Sequence, residues 1–151
     1  MHPRRPAPRR TAATMVETAV VISATLLLVV GMIVVALGVF RYQQVAAAAR
    51  EGARWASVHG GQYAKETGQA KATPSSVYNN AILPMASGLN TNSLSYSVTW
   101  DDAGEMPNYY NYGTQAWTSN NVTVTVTYSW VPEAFFGGVT LTSTSVMPMS
   151  Y

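Results

Sequence analysis

The chain has 151 residues, the length of about one domain. It contains no cysteine, which excludes disulfides, thiolate metal sites and cysteine nucleophiles. The formal net charge of +2 is unevenly distributed, because four of the nine Lys and Arg residues lie in the first ten positions and none follows Lys71. Beyond Lys71 the charged residues are acidic, so we expect no nucleic-acid partner, since phosphate binding requires Lys and Arg.

Residues 1–12 form a basic leader. The first ten, MHPRRPAPRR, contain three prolines and four arginines, a composition that disfavours a regular helix. One interpretation is a disordered tail. The other is a topology signal, because Lys and Arg beside a membrane span stay on the cytoplasmic side. We favour a cytoplasmic leader because an apolar run follows it.

An uncharged run of 23 residues extends from Thr18 to Phe40, with Glu17 before it and Arg41 after it. As a helix it would be about 35 Å long, enough to cross a hydrocarbon core of about 30 Å. The run therefore predicts a transmembrane helix, with the lipid bilayer as a partner. A cleavable secretory signal is the competing interpretation, but its apolar stretch would have only about 7–15 residues.

The segment after Arg41 predicts a helical stem. It is rich in alanine, the best helix former, and no proline occurs between Thr11 and Thr73. We expect one helix from about Ala13 to about Val58, because Gly60 and Gly61 are a typical C-terminal stop. Residues 13–59 would then be the transmembrane helix and stem, and residues 60–151 an exported domain.

The exported domain is predicted to be α+β. A short second helix is expected in Ser75–Leu89, where apolar residues recur near helical spacing and Pro84 shortens or kinks the element. Alternation of β-branched or aromatic residues with polar residues predicts strands at Leu94–Trp100, Val122–Trp130 and Val139–Met149. These would form a small antiparallel sheet of about three strands, covered on one face by the helices.

The connection Asp101–Asn121 is long for a hairpin and contains three acidic residues. Asp101, Asp102 and Glu105 could bind calcium, but their spacing matches no calcium loop, and a solvated acidic turn explains them more simply. No metal site is predicted. Four aromatic residues in this segment form either an exposed contact surface or a packed loop: Tyr109, Tyr110, Tyr112 and Trp117.

Catalytic patterns are not found in the sequence. His2 and His59 lie far apart, and no Ser-His-Asp set or phosphate-binding glycine loop can be assembled. We expect neither an enzyme nor a cofactor.

Three segments carry a family resemblance. ATMVETAVV at Ala13–Val21, with Ala12 before it, resembles the class III signal of type IV pilin-like proteins. With AAREGARWA at Ala48–Ala56 and the terminal VTVTVTYSW…GGVTLTSTSVMPM, the chain resembles TadE-like proteins, the minor pilins or pseudopilins of the tight-adherence (Tad) pilus.

The resemblance implies a processing site and an assembly residue. A prepilin peptidase would cut between Ala12 and Ala13, where the family usually has glycine in place of Ala12, and Glu17 would become the fifth mature residue. Glu17 would pair with the new α-amine of a neighbouring subunit. Two alternatives are a pair with the amine of Ala13 in the same chain, four residues away, and an interfacial carboxylate without an assembly role.

The function implied is that of a minor pilin or pseudopilin-like assembly component of a Tad-type pilus or secretion system, acting in surface attachment by helix packing. Its partners would be the prepilin peptidase, other pilins or pseudopilins and the assembly platform. We expect a single-pass protein of the bacterial inner membrane, its N-terminus cytoplasmic and its C-terminal domain outside, which can enter a cell-surface pilus. The alternative is a permanently anchored extracytoplasmic binding module.

Overall fold

The computed structural model describes residues 9–103, 105–132 and 137–150, with side chains from residue 13 onward. Residues 1–8 of the predicted leader lie outside the described part. The chain forms two compact units, Met1–Leu37 and Gly38–Tyr151.

Helix α1 extends from Arg9 to Val58. It begins four residues before the predicted start at Ala13, because the last leader proline is Pro8 and no later residue prevents helical backbone. Its end at Val58 agrees with the prediction. Within the first unit, the side chains described from residue 13 to residue 30 are all exposed.

Three shorter helices precede the sheet. Helix α2, Gly61–Thr67, was not predicted, because its polar sequence lacks apolar periodicity; it ends at Gly68 in the left-handed conformation. The predicted second helix is confirmed as a helical segment that comprises α3, Pro74–Val77, a π-helical turn, Tyr78–Ile82, and α4, Leu83–Met85. Thr73 caps its first turn through a reciprocal capping box with Ser76.

In the described part of the chain, five strands form two antiparallel sheets. They are β1, Leu94–Trp100, β2, Asn108–Asn111, β3, Ala116–Ser119, β4, Asn121–Trp130, and β5, Val139–Pro148. The main sheet has the order β1-β4-β5, and its three strands agree with the predicted ones to within one residue at each end. The β2–β3 hairpin is an addition to the prediction and lies within the long connection.

The core of the second unit lies between α1 and the main sheet. Alternate residues of β4 are buried, from Val122 to Trp130. The facing residues of α1 are small and recur at helical spacing: Val45, Ala48, Ala49, Gly52, Ala53 and Ala56. A Cβ atom added to Gly52 would lie 3.1 Å from a γ-carbon of Ile82 and 3.1 Å from one of Val124. The small side chains therefore allow α1 to contact both the second helical segment and β4 closely.

Candidate functional site

The predicted processing and assembly residues lie in the first turns of α1. Ala13 and Glu17 are one helical turn apart and therefore on the same face. The side chain of Glu17 is exposed, and the ion pairs found within the described ranges do not involve it. Ala12 belongs to α1, but its side chain lies outside the described part of the structure.

The hydroxyl groups of the apolar run are bonded within the helix itself. Thr18, Ser23 and Thr25 each donate a hydrogen bond of 2.8 Å to the carbonyl oxygen four residues earlier. Such bonds satisfy hydroxyl groups where water is absent. An 18-residue window of this helix has a mean hydropathy of 2.9 and no residue buried within the protein. By length and composition, α1 is thus able to cross a membrane.

The last turn of the predicted span contacts the sheet, a contact that the sequence did not predict. A Cβ on Gly38 would lie 2.9 Å from Cζ3 of Trp130. The Arg41 guanidinium lies over the same ring, with Cζ 5.6 Å from its centroid, a cation–π arrangement. Gly38 is therefore required for packing in this unit, and Arg41 contacts Trp130 as well as ending the apolar run.

Two acidic residues of the long connection, Asp101 and Glu105, bond to different partners. The Glu105 side chain forms an ion pair with Lys71, with 3.0 Å between Oε1 and Nζ. Asp101 instead accepts a hydrogen bond of 2.8 Å from the side-chain amide of Asn121. No group of three or more His, Asp or Glu residues able to hold a metal is found in the described ranges. Glu105 and Asp101 are thus held by different partners.

Glu105 is an unusual carboxylate for a surface turn. It is only 6% exposed and has a φ of 53°, and its carbonyl oxygen accepts a bond of 2.8 Å from the amide of Gly61 at the start of α2. Burial raises the pKa of the Glu105 carboxyl, and the hydrogen bond and charge of Lys71 oppose this effect. These contacts connect the long connection to α2 and Lys71, so Glu105 has a structural role.

An open cavity of about 620 Å³ lies beside the C-terminal end of α1. Its lining residues include one histidine, one lysine and no carboxylate: Trp55, His59, Tyr63, Gln69, Ala70, Lys71, Thr73, Ser76 and Asn80. The His59 ring stacks on Trp55 with 4.0 Å between centroids, and its Nδ1 donates to the Trp55 carbonyl oxygen, 2.8 Å away. His59, which directly follows α1, is thus held against the last turn of that helix.

The comparison with known families finds a match in the N-terminal segment. The model of the family described as TadE-like protein matches residues 12–54. Residues 12–54 are TadE-like. The match includes Ala12, Ala13, Glu17 and the apolar run, and it ends within the AAREGARWA motif, so the predicted resemblance is confirmed over this segment. No curated protein and no solved structure matches the chain.

The match covers 43 of the 151 residues, so it shows a TadE-like N-terminal segment and does not assign the whole chain to the family. The long apolar helix suggests membrane anchoring. The matched segment ends before α2 and the sheets, so the family match does not extend to these elements.

Proposed function

We propose that this protein is a minor pilin or pseudopilin-like assembly component of a Tad-type pilus or secretion system, acting in surface attachment by helix packing. The observation that carries the proposal is an exposed Glu17 directly before an uncharged helical run of 23 residues, within the segment that is TadE-like. The protein would be held in the inner membrane, with the leader cytoplasmic and residues 60–151 outside.

A prepilin peptidase would release the leader by cutting between Ala12 and Ala13. Helix α1 begins at Arg9, so the cut lies close to its N-terminus, where the first four amides lack helical partners. The backbone there can leave the helix at low cost, as a protease requires. Cleavage would remove four arginines and leave five basic and seven acidic residues, changing the formal side-chain charge from +2 to −2.

The new α-amine at Ala13 would provide a charge partner for Glu17. A carboxylate at the centre of a bilayer costs about 2.5–3.5 kcal/mol on insertion scales, and one near the end of a span costs less. Pairing with the amine of a neighbouring subunit would reduce this cost and align the two helices. The apolar side chains that α1 exposes between residues 13 and 37 would then pack against other subunits or lipid.

Replacement of Glu17 tests this proposal directly. In the host, Glu17→Val should insert and be processed normally but should be absent from sheared pili, because its helix lacks the aligning charge. Thr25→Val is the matched control, since it removes a polar group whose hydrogen bond lies within the same helix, and it should assemble normally. Normal assembly of Glu17→Val would contradict the proposal.

A second candidate function is a permanently anchored extracytoplasmic binding module. It is favoured by the exposed aromatic side chains of the β2–β3 hairpin, since Tyr112 is 85% and Trp117 is 74% exposed. Retention of the leader in the protein purified from its host would support this candidate, because a static anchor needs no processing.

A further inference from the structure

The β2–β3 hairpin presents an aromatic cluster, which we define as Tyr110, Tyr112 and Trp117. We propose that this cluster is a binding site for a neutral polysaccharide chain. The site lies beyond the proposed packing role, because packing uses α1 and the cluster lies on a separate hairpin. Binding can therefore be measured on the isolated chain, whether or not the protein assembles.

The strand register places the cluster on one exposed face of the hairpin. Tyr110 pairs with Trp117, and Asn108 pairs with Ser119, so alternation puts all four side chains on the same face. These four residues are exposed, whereas Tyr109 and Thr118 on the opposite face are half-buried. The hairpin therefore directs its two rings and two small polar groups away from the body of the domain.

The three rings support one another without being buried. Tyr110 lies edge to face with both neighbours, with centroid separations of 5.1 Å to Tyr112 and 5.8 Å to Trp117. Trp117 and Tyr112 nevertheless remain 74% and 85% exposed. Leaving so much aromatic surface in water forgoes the stabilisation that burial would bring. The exposure thus points to a binding role rather than to stabilisation of the fold.

The base and the turn of the hairpin are both held by hydrogen bonds. Asn120 is fully buried; its amide donates to Pro107 and its side chain bonds both the amide and the carbonyl of Asp102. At the turn, the Asn111 carboxamide oxygen accepts bonds from the amides of Gly113 and Thr114. A site held in this way loses little conformational freedom when it binds.

The side chains on the exposed face of the hairpin favour a neutral ligand that is rich in hydroxyl groups. No charged residue occurs from Met106 to Pro132, so the hairpin lacks the cations needed for nucleic acids or acidic sugars. The non-aromatic members of the face are Asn108 and Ser119, whereas the cores of protein interfaces favour Met and Arg beside aromatic residues. Sugar C–H groups can lie on the negative faces of the rings, while amide and hydroxyl side chains bond sugar hydroxyls.

The test uses the full chain in lipid nanodiscs, because detergents with sugar headgroups would compete for the site. Calorimetric titrations would use cellohexaose, maltohexaose and chitohexaose as neutral probes and hexagalacturonate as an acidic probe. We expect saturable binding to at least one neutral probe and no comparable binding to the acidic one. Trp117→Ala should weaken the binding about tenfold or more, as expected when a stacking ring is lost.

Two variants separate loss of the ring from other effects. Trp117→Phe keeps a ring and should retain most of the affinity. Val131→Ala removes an apolar side chain of similar exposure, 73%, outside the hairpin, and should bind as the unmodified protein does. Circular dichroism should show that all variants are folded, since the changed side chains lie outside the core.

Several results would overturn the proposal. One is the absence of binding to all three neutral probes, and another is binding that Trp117→Ala leaves unchanged. Quenching of Trp117 by brominated lipid in the nanodisc would assign the cluster to the bilayer instead. Self-association that Trp117→Ala abolishes would assign it to a second copy of the chain.

Discussion

Trp130 packs its ring against Gly38, so closely that a methyl group on residue 38 would lie 2.9 Å from Cζ3. This contact joins the end of β4 to the last turn of the apolar run. Arg41 lies over the same ring, 5.6 Å from its centroid. Gly38 and Arg41 therefore both contact the Trp130 ring, which is itself only 6% exposed.

A larger side chain at residue 38 should destabilise the second unit. Gly38→Leu would displace the Trp130 ring, and overpacking of this kind costs about 1–3 kcal/mol. Thermal unfolding followed by near-ultraviolet circular dichroism in nanodiscs should show a lower Tm. Gly31→Leu is the matched control, because an added Cβ there meets no atom within 4 Å. Equal melting temperatures for the two variants would show that the Gly38 contact does not restrain the fold.

Gly52 should be the least replaceable residue of the AAREGARWA motif. Gly52→Val would add methyl groups where a Cβ already lies 3.1 Å from both Ile82 and Val124, so we expect a loss of about 1–3 kcal/mol in the free energy of unfolding. Arg50→Val is the control, because it introduces valine on the exposed side of α1. It should lower the free energy of unfolding much less than Gly52→Val does. Denaturant unfolding of both variants measures the difference, and a tolerated Gly52→Val would refute close packing of α1 on β4.

The Glu105 carboxyl should make stability depend on pH. Because burial raises its pKa in the folded state, its stabilising contribution is fully present below the ordinary carboxyl pKa and is lost as pH rises through the raised value. Glu105→Gln removes this dependence. The Tm of Glu105→Gln minus the Tm of the unmodified protein should therefore become more positive as the pH is raised from about 4 to about 8.

Glu51 is a control for the Glu105 experiment, because its pKa is shifted in the opposite direction. The hydrogen bond and charge of Arg54 lower the pKa of the Glu51 carboxyl, so its contribution is present at neutral pH and is lost as pH falls through the lowered value. Relative to the unmodified protein, Glu51→Gln should be less stable at neutral pH, and the difference should shrink on acidification. A Glu105→Gln variant with the same trend would contradict the assigned effect of burial.

The regular elements could be predicted because their patterns are local. Strand β4 alternates Val with Thr, and the structure buries the Val side chains as expected. The β2–β3 hairpin was missed because its strands have only four residues each, because Asn and Gly are typical of loops, and because its pairing depends on contacts such as those of Asn120. Helix α2 was missed because it is short and polar.

The candidate site was predictable only where its residues are adjacent in the chain. Ala12, Ala13 and Glu17 can be located from a motif and a count. The contact between Gly38 and Trp130, and the ion pair between Lys71 and Glu105, join residues far apart in sequence. Such contacts depend on the folded arrangement, and neither a glycine in an apolar run nor a carboxylate in a polar turn indicates its partner.

Release of the leader before assembly is tested most directly by the N-terminus of the protein purified from its own host. Intact mass measurement with N-terminal sequencing should show a chain that begins at Ala13, with Glu17 as its fifth residue. A chain that begins at Met1 would contradict the account and favour the static anchor. A chain that begins within the alanine-rich segment after Arg41 would contradict it too, because the apolar run would then be an ordinary secretory signal.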